Sequence, residues 1–228
     1  MAIKYYSNIE QGSDDWLEMR KGVLTASEMK HIITPTLKVA NNERQKLHAF
    51  EIASQRINDY IEPQYINDDM LRGQADEVIA RDLYSEHYAP VKEMGFVVND
   101  NLGFKIGYSP DGFVGDDGLL EIKSRMQKHH LKVMYENQVP EEHYIQLQTG
   151  LYVTGRKWID YVSFCAGMPL FVIRVLPDER VFAAIEEASK AFELAVNTII
   201  NKVKENLSGQ KIIQTERLIE DTSDVVLF

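Results

Sequence analysis

The segment from residue 91 to residue 124 constrains the fold most, because its apolar and polar residues alternate in the manner of β-strands. Three strand-like stretches, VKEMGFVVND, GFKIGYSPDGFVG and GLLEIKS, are joined by the turn signals NDNLG and GDDG. Two more, KWIDYVSFCA and LFVIRVL, follow later. Helical patterns surround them at 41–58, 69–88, 126–137, 142–153 and 178–206. The sequence therefore predicts an α/β fold in which a central mixed β-sheet is flanked by helices.

Length and composition indicate one globular domain that spans residues 1–228, with N-terminal helices and a C-terminal helix plus tail at about 207–228. The single cysteine, Cys165, excludes an intramolecular disulfide and a four-cysteine metal site within one chain. The sequence starts without a signal-peptide pattern and has no apolar run near 18 residues, so we expect a cytoplasmic protein without membrane association. The tail ends in DTSDVVLF, which we expect either to pack on the domain or a neighbouring subunit, or to bind a partner.

The long helix at 69–88 is amphipathic in pattern. We expect its buried side to carry the apolar residues Leu71, Val78, Ile79, Leu83 and Tyr84.

The net charge of −10 argues against DNA binding unless the basic residues cluster. Such a cluster follows the last of the three strand-like stretches and contains Lys123, Arg125, Lys128, His129, His130 and Lys132. It predicts a track for a DNA backbone, and the alternative is a solvated helix face.

The stretch SPDGFVGDDGLLEIKSR holds the most informative carboxylates. Strand periodicity places Glu121 and Lys123 on one face, opposite Leu120, and a hairpin turn brings Asp111 close to Glu121. Two carboxylates suit Mg²⁺, or Mn²⁺ in its place, and the backbone carbonyl of Ile122 can add a ligand. Lys123 can then orient a water molecule or stabilise charge on a phosphate. The alternatives are an ordinary turn aspartate and a solvated ion pair.

Two short helices are predicted before residue 34. GSDDWLEMR begins after Ser13 as N-cap, and TASEMKHII has the capping-box spacing of Thr25 and Glu28. Ser27 would then lie in a first turn whose free N–H groups attract an anion, and Arg20 can make a bidentate phosphate contact. The alternative is a surface arginine and an ordinary serine at the start of a helix.

Four ordered motifs resemble a known nuclease family. SPDG…LLEIKS is similar to the D-(x)n-E-x-K core of the restriction-endonuclease-like PD-(D/E)XK nucleases. QGSDDWLEMRKGVLTASE, RGQADEVIARDLY and IQLQTGLYVTGRKW resemble elements of the phage λ exonuclease and YqaJ-like viral recombinase branch. The resemblance runs from Gln11 to Trp158, and it implies a restriction-endonuclease-like core.

The resemblance also implies further site residues. Glu77 would be a third acidic residue that reaches the metal, and a glutamine on the 142–153 helix would line the site. Both Gln146 and Gln148 are available, and the spacing to Tyr152 favours Gln148. Met70 and Leu71 immediately precede the helix face that carries Glu77, and from this position we expect one of them to act as a wedge that separates the strands, although contact with the core is the commoner role of such residues.

The implied function is a Mg²⁺-dependent 5′-to-3′ exonuclease that degrades one strand of linear double-stranded DNA. The 3′ overhang would serve recombination by a single-strand annealing protein, and Arg20 and Ser27 would hold the 5′ phosphate. Family members form homotrimeric rings, and a phage or prophage origin in a bacterial host is implied. The alternatives are a structure-specific endonuclease on the same fold and a non-catalytic DNA-binding or assembly module.

Overall fold

The computed structural model describes residues 3–62 and 67–217, so the predicted role of the DTSDVVLF tail lies outside the described residues. The predicted helices are confirmed with small shifts at their ends. The elements in chain order are β1 (Ile3–Tyr6), α1 (Asp14–Arg20), β2 (Leu24–Thr25), a 3₁₀ helix (Ala26–His31), α2 (Glu43–Asn58), α3 (Asp68–His87), β3 (Val91–Lys92), β4 (Phe96–Asn99), β5 (Ile106–Tyr108), β6 (Gly112–Val114), β7 (Gly118–Ser124), α4 (Gln127–Glu136), α5 (Glu141–Thr154), β8 (Trp158–Phe164), β9 (Phe171–Val175) and α6 (Glu179–Leu207).

The strands form two mixed sheets where the sequence predicted one. The first has the order β1-β4-β5-β2, and the second has the order β3-β6-β7-β8-β9. Two predicted strands are divided between the sheets, GFKIGYSPDGFVG into β5 and β6 and VKEMGFVVND into β3 and β4. Between β3 and β4, Gly95 lies so close to the backbone of Ile9 that a Cβ atom would meet its carbonyl oxygen at 2.1 Å, so only glycine fits where the chain passes from one sheet to the other.

The second sheet separates two hydrophobic clusters. Along β7, Leu120 and Ile122 pack with Ala80 and Tyr84 of α3 on one face. On the other face, Leu119 joins the main core, which includes residues of α5, α6 and the first sheet. The polar residues that alternate with Leu120 and Ile122 are therefore directed toward α5 and not toward α3.

Helix α3 is rotated relative to the prediction. Ala80 and Tyr84 are fully buried, whereas Leu71, Val78 and Ile79 are about half exposed, so the predicted buried side is wrong for these three residues. The reason is that the side facing the sheet also carries acidic and basic groups, which form hydrogen bonds with the sheet. No helix in the described part of the chain is long and apolar enough to cross a membrane.

The N-terminal helices differ in how well they follow the prediction. Ser13 caps α1 as expected, since its hydroxyl accepts a hydrogen bond from the Trp16 N–H. The second helix is a six-residue 3₁₀ helix, and its N-cap residue Thr25 makes no side-chain cap bond. The predicted capping box is therefore wrong, because the Thr25 hydroxyl pairs with the Ser27 hydroxyl at 3.1 Å instead.

Candidate active site

The candidate active site lies at the edge of β7 that β6 leaves open. The two strands pair only as far as Gly112 opposite Leu120, and Asp111 immediately precedes Gly112. The Asp111 carboxylate, through Oδ2, accepts a hydrogen bond of 2.5 Å from the Ile122 N–H, where a longer β6 would have paired. A strand residue directs its N–H and its carbonyl to the same side, so the Ile122 carbonyl faces this open edge too.

Glu121 lies at the centre of a buried hydrogen-bond network and is only 1 % exposed. The Tyr108 hydroxyl donates to Oε2 at 2.7 Å. Lys123 Nζ donates to Oε1 at 2.7 Å, and Gln146 Nε2 donates to the same oxygen at 2.5 Å. The solvated ion pair considered from sequence is thus wrong, since this carboxylate is enclosed by three donors.

The electrostatics of the site favour an additional cation. Burial, together with the negative charges of Glu121 and Glu77, raises the pKa of Asp111 well above its usual range. Burial opposes the charged form of Lys123, but the carboxylates of Glu121 and Asp111 outweigh it and raise the pKa of the lysine. Lys123 therefore stays cationic, and it does not fully offset the crowded carboxylates.

Glu77 reaches the edge of this cluster from α3. Its Oε1 accepts a hydrogen bond of 3.2 Å from Arg81, whose other terminal nitrogen donates to the Asp111 carbonyl at 3.1 Å. Burial raises the pKa of Glu77, the Arg81 charge lowers it, and Glu121 raises it further.

Among residues 3–62 and 67–217, no group of three or more His, Cys, Asp or Glu side chains is arranged to hold a metal ion. Glu77 would therefore have to leave Arg81 before it could act as a ligand.

The glutamine of the site is Gln146, and the prediction of Gln148 is wrong. Gln148 is fully buried, donates to the Leu176 carbonyl at 2.8 Å and accepts from the Asp178 N–H at 2.9 Å. It thus joins α5 to the turn before α6. Spacing to Tyr152 misled the sequence argument, since the Tyr152 hydroxyl donates to Glu186 of α6. The alternative Gln146 lies about half a helical turn away and faces β7.

A second polar pocket surrounds Ser109, a residue that the sequence analysis did not select although it belongs to the SPDG motif. Its hydroxyl accepts hydrogen bonds from Trp16 Nε1 at 2.9 Å and from Arg20 at 3.4 Å. The Arg20 guanidinium lies 4.2 Å from the centroid of the Trp16 ring. Burial lowers the pKa of Arg20, and the nearby Glu28 partly offsets this effect.

Ser27 is linked to this pocket through Glu28. Its hydroxyl donates weakly to Glu28 Oε1 at 3.5 Å, and Glu28 also pairs with His31 at 3.0 Å. Arg20 and Ser27 therefore lie near the same carboxylate without a hydrogen bond between them in the described contacts. Because the 3₁₀ helix is short, the side chains and not a helix dipole would have to hold an anion here.

The predicted basic cluster divides into exposed and buried members. Lys128 and His129 are exposed on α4. Arg125 is largely covered, because it donates to the Tyr161 hydroxyl at 2.9 Å and pairs with Glu142 at 3.4 Å. His130 is fully buried and forms hydrogen bonds with the Ser163 hydroxyl and the Pro169 carbonyl. The prediction that all six basic residues form a surface track is therefore wrong for His130.

His143 flanks the site, although none of the sequence motifs singles it out. Its ring stacks on Tyr161 with 5.9 Å between centroids. Burial, and then the charges of Lys123, Arg125 and Lys30, lower the pKa of His143 to about 3. A neutral imidazole therefore stands one helical turn from Gln146, and periodicity alone could not have shown this.

Met70 and Leu71 lie in the first turn of α3 and are 44 % and 53 % exposed. Neither residue is therefore part of the buried core, although about half of each side chain is covered. Their role as a strand wedge stays a prediction.

Comparisons with known proteins agree on one family. Residues 15–157 match the model of the YqaJ-like viral recombinase domain. An alkaline exonuclease from Laribacter hongkongensis, LHK-Exo, is 30 % identical, with a TM-score of 0.75 over 85 % of this chain and 97 % of that one. The structure of LHK-Exo in complex with dAMP matches with a TM-score of 0.76 at the same identity and coverage.

A phage-related exonuclease from Haemophilus somnus 129PT shares only the fold, with 15 % identity and a TM-score of 0.59 over 79 % of this chain and 96 % of that one. No curated protein matches the sequence. The matched structures confirm the predicted restriction-endonuclease-like α/β class.

Proposed function

Given that the chain belongs to the YqaJ-like viral recombinase domain family and is related to an alkaline exonuclease, we propose that it is a Mg²⁺-dependent 5′-to-3′ exonuclease acting on linear double-stranded DNA. The relatives support a deoxyribonuclease role. One observation carries the finer proposal: Asp111 and Glu121 are buried side by side, and Lys123 is bonded to the second carboxylate.

The donor set fits a hard divalent cation. Burial, and then the charges of Glu121 and Glu77, raise the pKa of Asp111, so the buried carboxylates of Asp111 and Glu121 lack a full counter-charge. Carboxylate and carbonyl oxygens are the ligands that Mg²⁺ prefers. Asp111, Glu121 and the Ile122 carbonyl would hold the ion, and Glu77 would join them after release from Arg81. When bound, the ion supplies Lewis acidity to the phosphoryl oxygens, and Mn²⁺ has a similar ligand preference.

The remaining residues of the site orient the reactants. Lys123 is cationic and fixed by Glu121, so it can hold the attacking water and stabilise charge that develops on the phosphate. Gln146 and Tyr108 each donate a further hydrogen bond to Glu121, one to each carboxylate oxygen, and keep its carboxylate in one orientation. Water would attack phosphorus, the bond from phosphorus to O3′ would break, and the new DNA end would again carry a 5′ phosphate.

That regenerated 5′ phosphate suits the pocket around Ser109. Arg20, Ser109 and Ser27 would bind the terminal phosphate, whose extra charge strengthens charge-assisted hydrogen bonds relative to an internal diester. Ser109 and Asp111 lie two residues apart, so the pocket and the cleavage site are joined by the short segment between β5 and β6. LHK-Exo has been solved with dAMP, a nucleoside monophosphate, and this supports a mononucleotide product.

The other parts of the proposal rest on the family. The product would be a 3′ single-stranded overhang passed to a single-strand annealing protein, and the active assembly would be a homotrimeric ring in the cytoplasm of a bacterial host. Exposed Lys128 and His129 would contact the DNA backbone, with Arg125 supporting the site from beneath. Met70 and Leu71, exposed at the start of α3, would separate the strands.

One digestion experiment tests the proposal. A linear duplex is labelled separately at the 5′ and 3′ ends of one strand and incubated with Mg²⁺ or with EDTA, alongside a covalently closed circle. We expect Mg²⁺-dependent release of mononucleotides from the 5′-labelled end and an intact circle. Internal fragments or cut circles would indicate an endonuclease, and binding without cleavage would indicate a non-catalytic module.

A further inference from the structure

A short hydrogen bond joins α3 to the end of β7 beside the candidate site. Ser124 Oγ donates to Asp76 Oδ2 at 2.6 Å. Asp76 precedes Glu77 in the sequence, and Ser124 follows Lys123. The bond therefore connects the neighbours of two residues that the proposed reaction requires.

The alternation of β7 explains why Ser124 can reach α3. Leu120, Ile122 and Ser124 share one face of the strand, and the first two pack against α3 residues. Glu121 and Lys123 share the opposite face. Ser124 thus lies on the helix side of the strand while its neighbour Lys123 lies on the reaction side.

The N-terminal half of α3 depends on such polar contacts because its apolar contacts are few. Of its apolar residues, Ala80 and Tyr84 in the second half are fully buried, whereas Met70, Leu71 and Val78 are exposed. Tyr84 is further fixed by a 2.6 Å hydrogen bond to the buried Asp160. In the N-terminal half, Asp76 holds the helix at β7, and in the second half Arg81, next to Ala80, holds it at the Asp111 carbonyl.

From this geometry we propose that Asp76 and Ser124 are positioning residues, which set the Glu77 carboxylate at the correct distance from Glu121 and Lys123. The inference rests on the proposed nuclease function and deepens it. Glu77 is bonded to Arg81, which in turn donates to the Asp111 carbonyl, so these contacts hold Glu77 near the segment before β6 but do not fix it relative to β7. The hydrogen bond from Ser124 to Asp76 fixes the position of the neighbouring Glu77 relative to β7.

The first test removes the bond from either side. Ser124→Ala and Asp76→Ala should each lower kcat at saturating Mg²⁺ by about 10- to 100-fold, the usual effect of losing a group that orients a metal or catalytic ligand. Duplex affinity in EDTA and Tm should change little. Ser124→Thr keeps the hydroxyl and should restore most of the rate, and Asp82→Ala, at an exposed site on the same helix, is the matched control.

The second test asks whether the pair acts through Glu77. In a Glu77→Gln background, Ser124→Ala should cause little additional loss, because the residue that it positions is already inactive. Full additivity of the two losses would overturn the inference, as would an unchanged rate in Ser124→Ala or a rate that falls only with Tm. If the unaltered protein fails to cleave linear duplex at all, the proposed function itself is wrong.

Discussion

Gln146 on α5 donates a hydrogen bond to Glu121 on β7, across the interface between the helix and the five-stranded sheet. Gln148, on the same helix, is bonded to backbone groups at residues 176 and 178 instead. Two glutamines two residues apart therefore have different roles, one at the candidate site and one in the fold.

Substitution of the two glutamines should separate these roles. Gln146→Leu should lower kcat by about 10-fold or more with little change in stability, since the Glu121 carboxylate loses one of the hydrogen bonds that fix its orientation. Gln148→Leu should leave kcat near normal and destabilise the protein by about 1–3 kcal/mol, because it leaves the Leu176 carbonyl and the Asp178 N–H unpaired. Chemical denaturation and single-turnover cleavage measure the two effects, and the reverse assignment would show that the contacts are misread.

Asp111→Asn should abolish cleavage and stabilise the protein in EDTA. The raised pKa of Asp111 means that the folded state binds the proton more tightly than the unfolded state, so the metal-free protein loses stability as pH rises above the ordinary carboxyl pKa of about 4. The amide removes this penalty and keeps an oxygen for the Ile122 N–H. Thermal unfolding in EDTA should show a Tm increase of about 2–4 °C for each kcal/mol recovered.

Mg²⁺ is the control for that variant. It should raise the Tm of the unaltered protein and leave that of Asp111→Asn unchanged. A Tm in EDTA that falls on substitution would contradict the repulsion between the carboxylates.

The activity should rise with pH at a fixed, sub-saturating Mg²⁺ concentration. Carboxylates must lose their protons before they bind a metal, and the pKa values of Asp111 and Glu77 are both raised. Higher Mg²⁺ should move the acid limb of the rate profile to lower pH, because the ion and the proton compete. Initial rates on labelled duplex at several Mg²⁺ concentrations measure this, and an acid limb that does not respond to Mg²⁺ would argue that another group titrates.

His143 should limit stability in acid. Its folded pKa of about 3 lies below the unfolded value of about 6.5, so the unfolded state binds the extra proton between these values and stability falls as pH decreases. The slope should be about 1.4 kcal/mol per pH unit in that window. His143→Phe keeps a ring against Tyr161 and should flatten the acid limb of the unfolding free energy. An unchanged slope would show that the imidazole becomes protonated while the protein is folded.

Arg20→Ala should remove the preference for 5′-phosphorylated over 5′-hydroxyl ends, and Ser109→Ala should weaken it. Arg20 donates a hydrogen bond to the Ser109 hydroxyl, so both side chains belong to the same proposed phosphate pocket. Each substitution should therefore slow digestion most on the phosphorylated substrate. Competition between the two substrates in one digestion measures the preference. Because Arg20 also stacks on Trp16, Tm must be measured in parallel: equal slowing of both substrates with a lower Tm would indicate a structural role only.

Local pattern predicted most of the elements and the core of the site. The alternation in LLEIKS correctly placed Glu121 and Lys123 on one face, and Ser13 was recognised as a cap from its spacing alone. The predicted face of α3 is wrong because hydrophobic periodicity does not register the hydrogen bond that Asp76 accepts from Ser124 or the one that Arg81 donates to the Asp111 carbonyl. Gln148 was preferred for a similar reason, since the choice between two positions on one helix depends on how that helix is rotated against the sheet.

The shortness of β6 also restricts how the protein can be changed. If the ladder between β6 and β7 were extended until Pro110 lay opposite Ile122, the Pro110 carbonyl would compete with the Asp111 carboxylate for the Ile122 N–H. A longer hairpin would add backbone hydrogen bonds, and here it would displace Asp111, which we propose as a metal ligand. Changes that stabilise this hairpin would therefore conflict with the proposed cleavage.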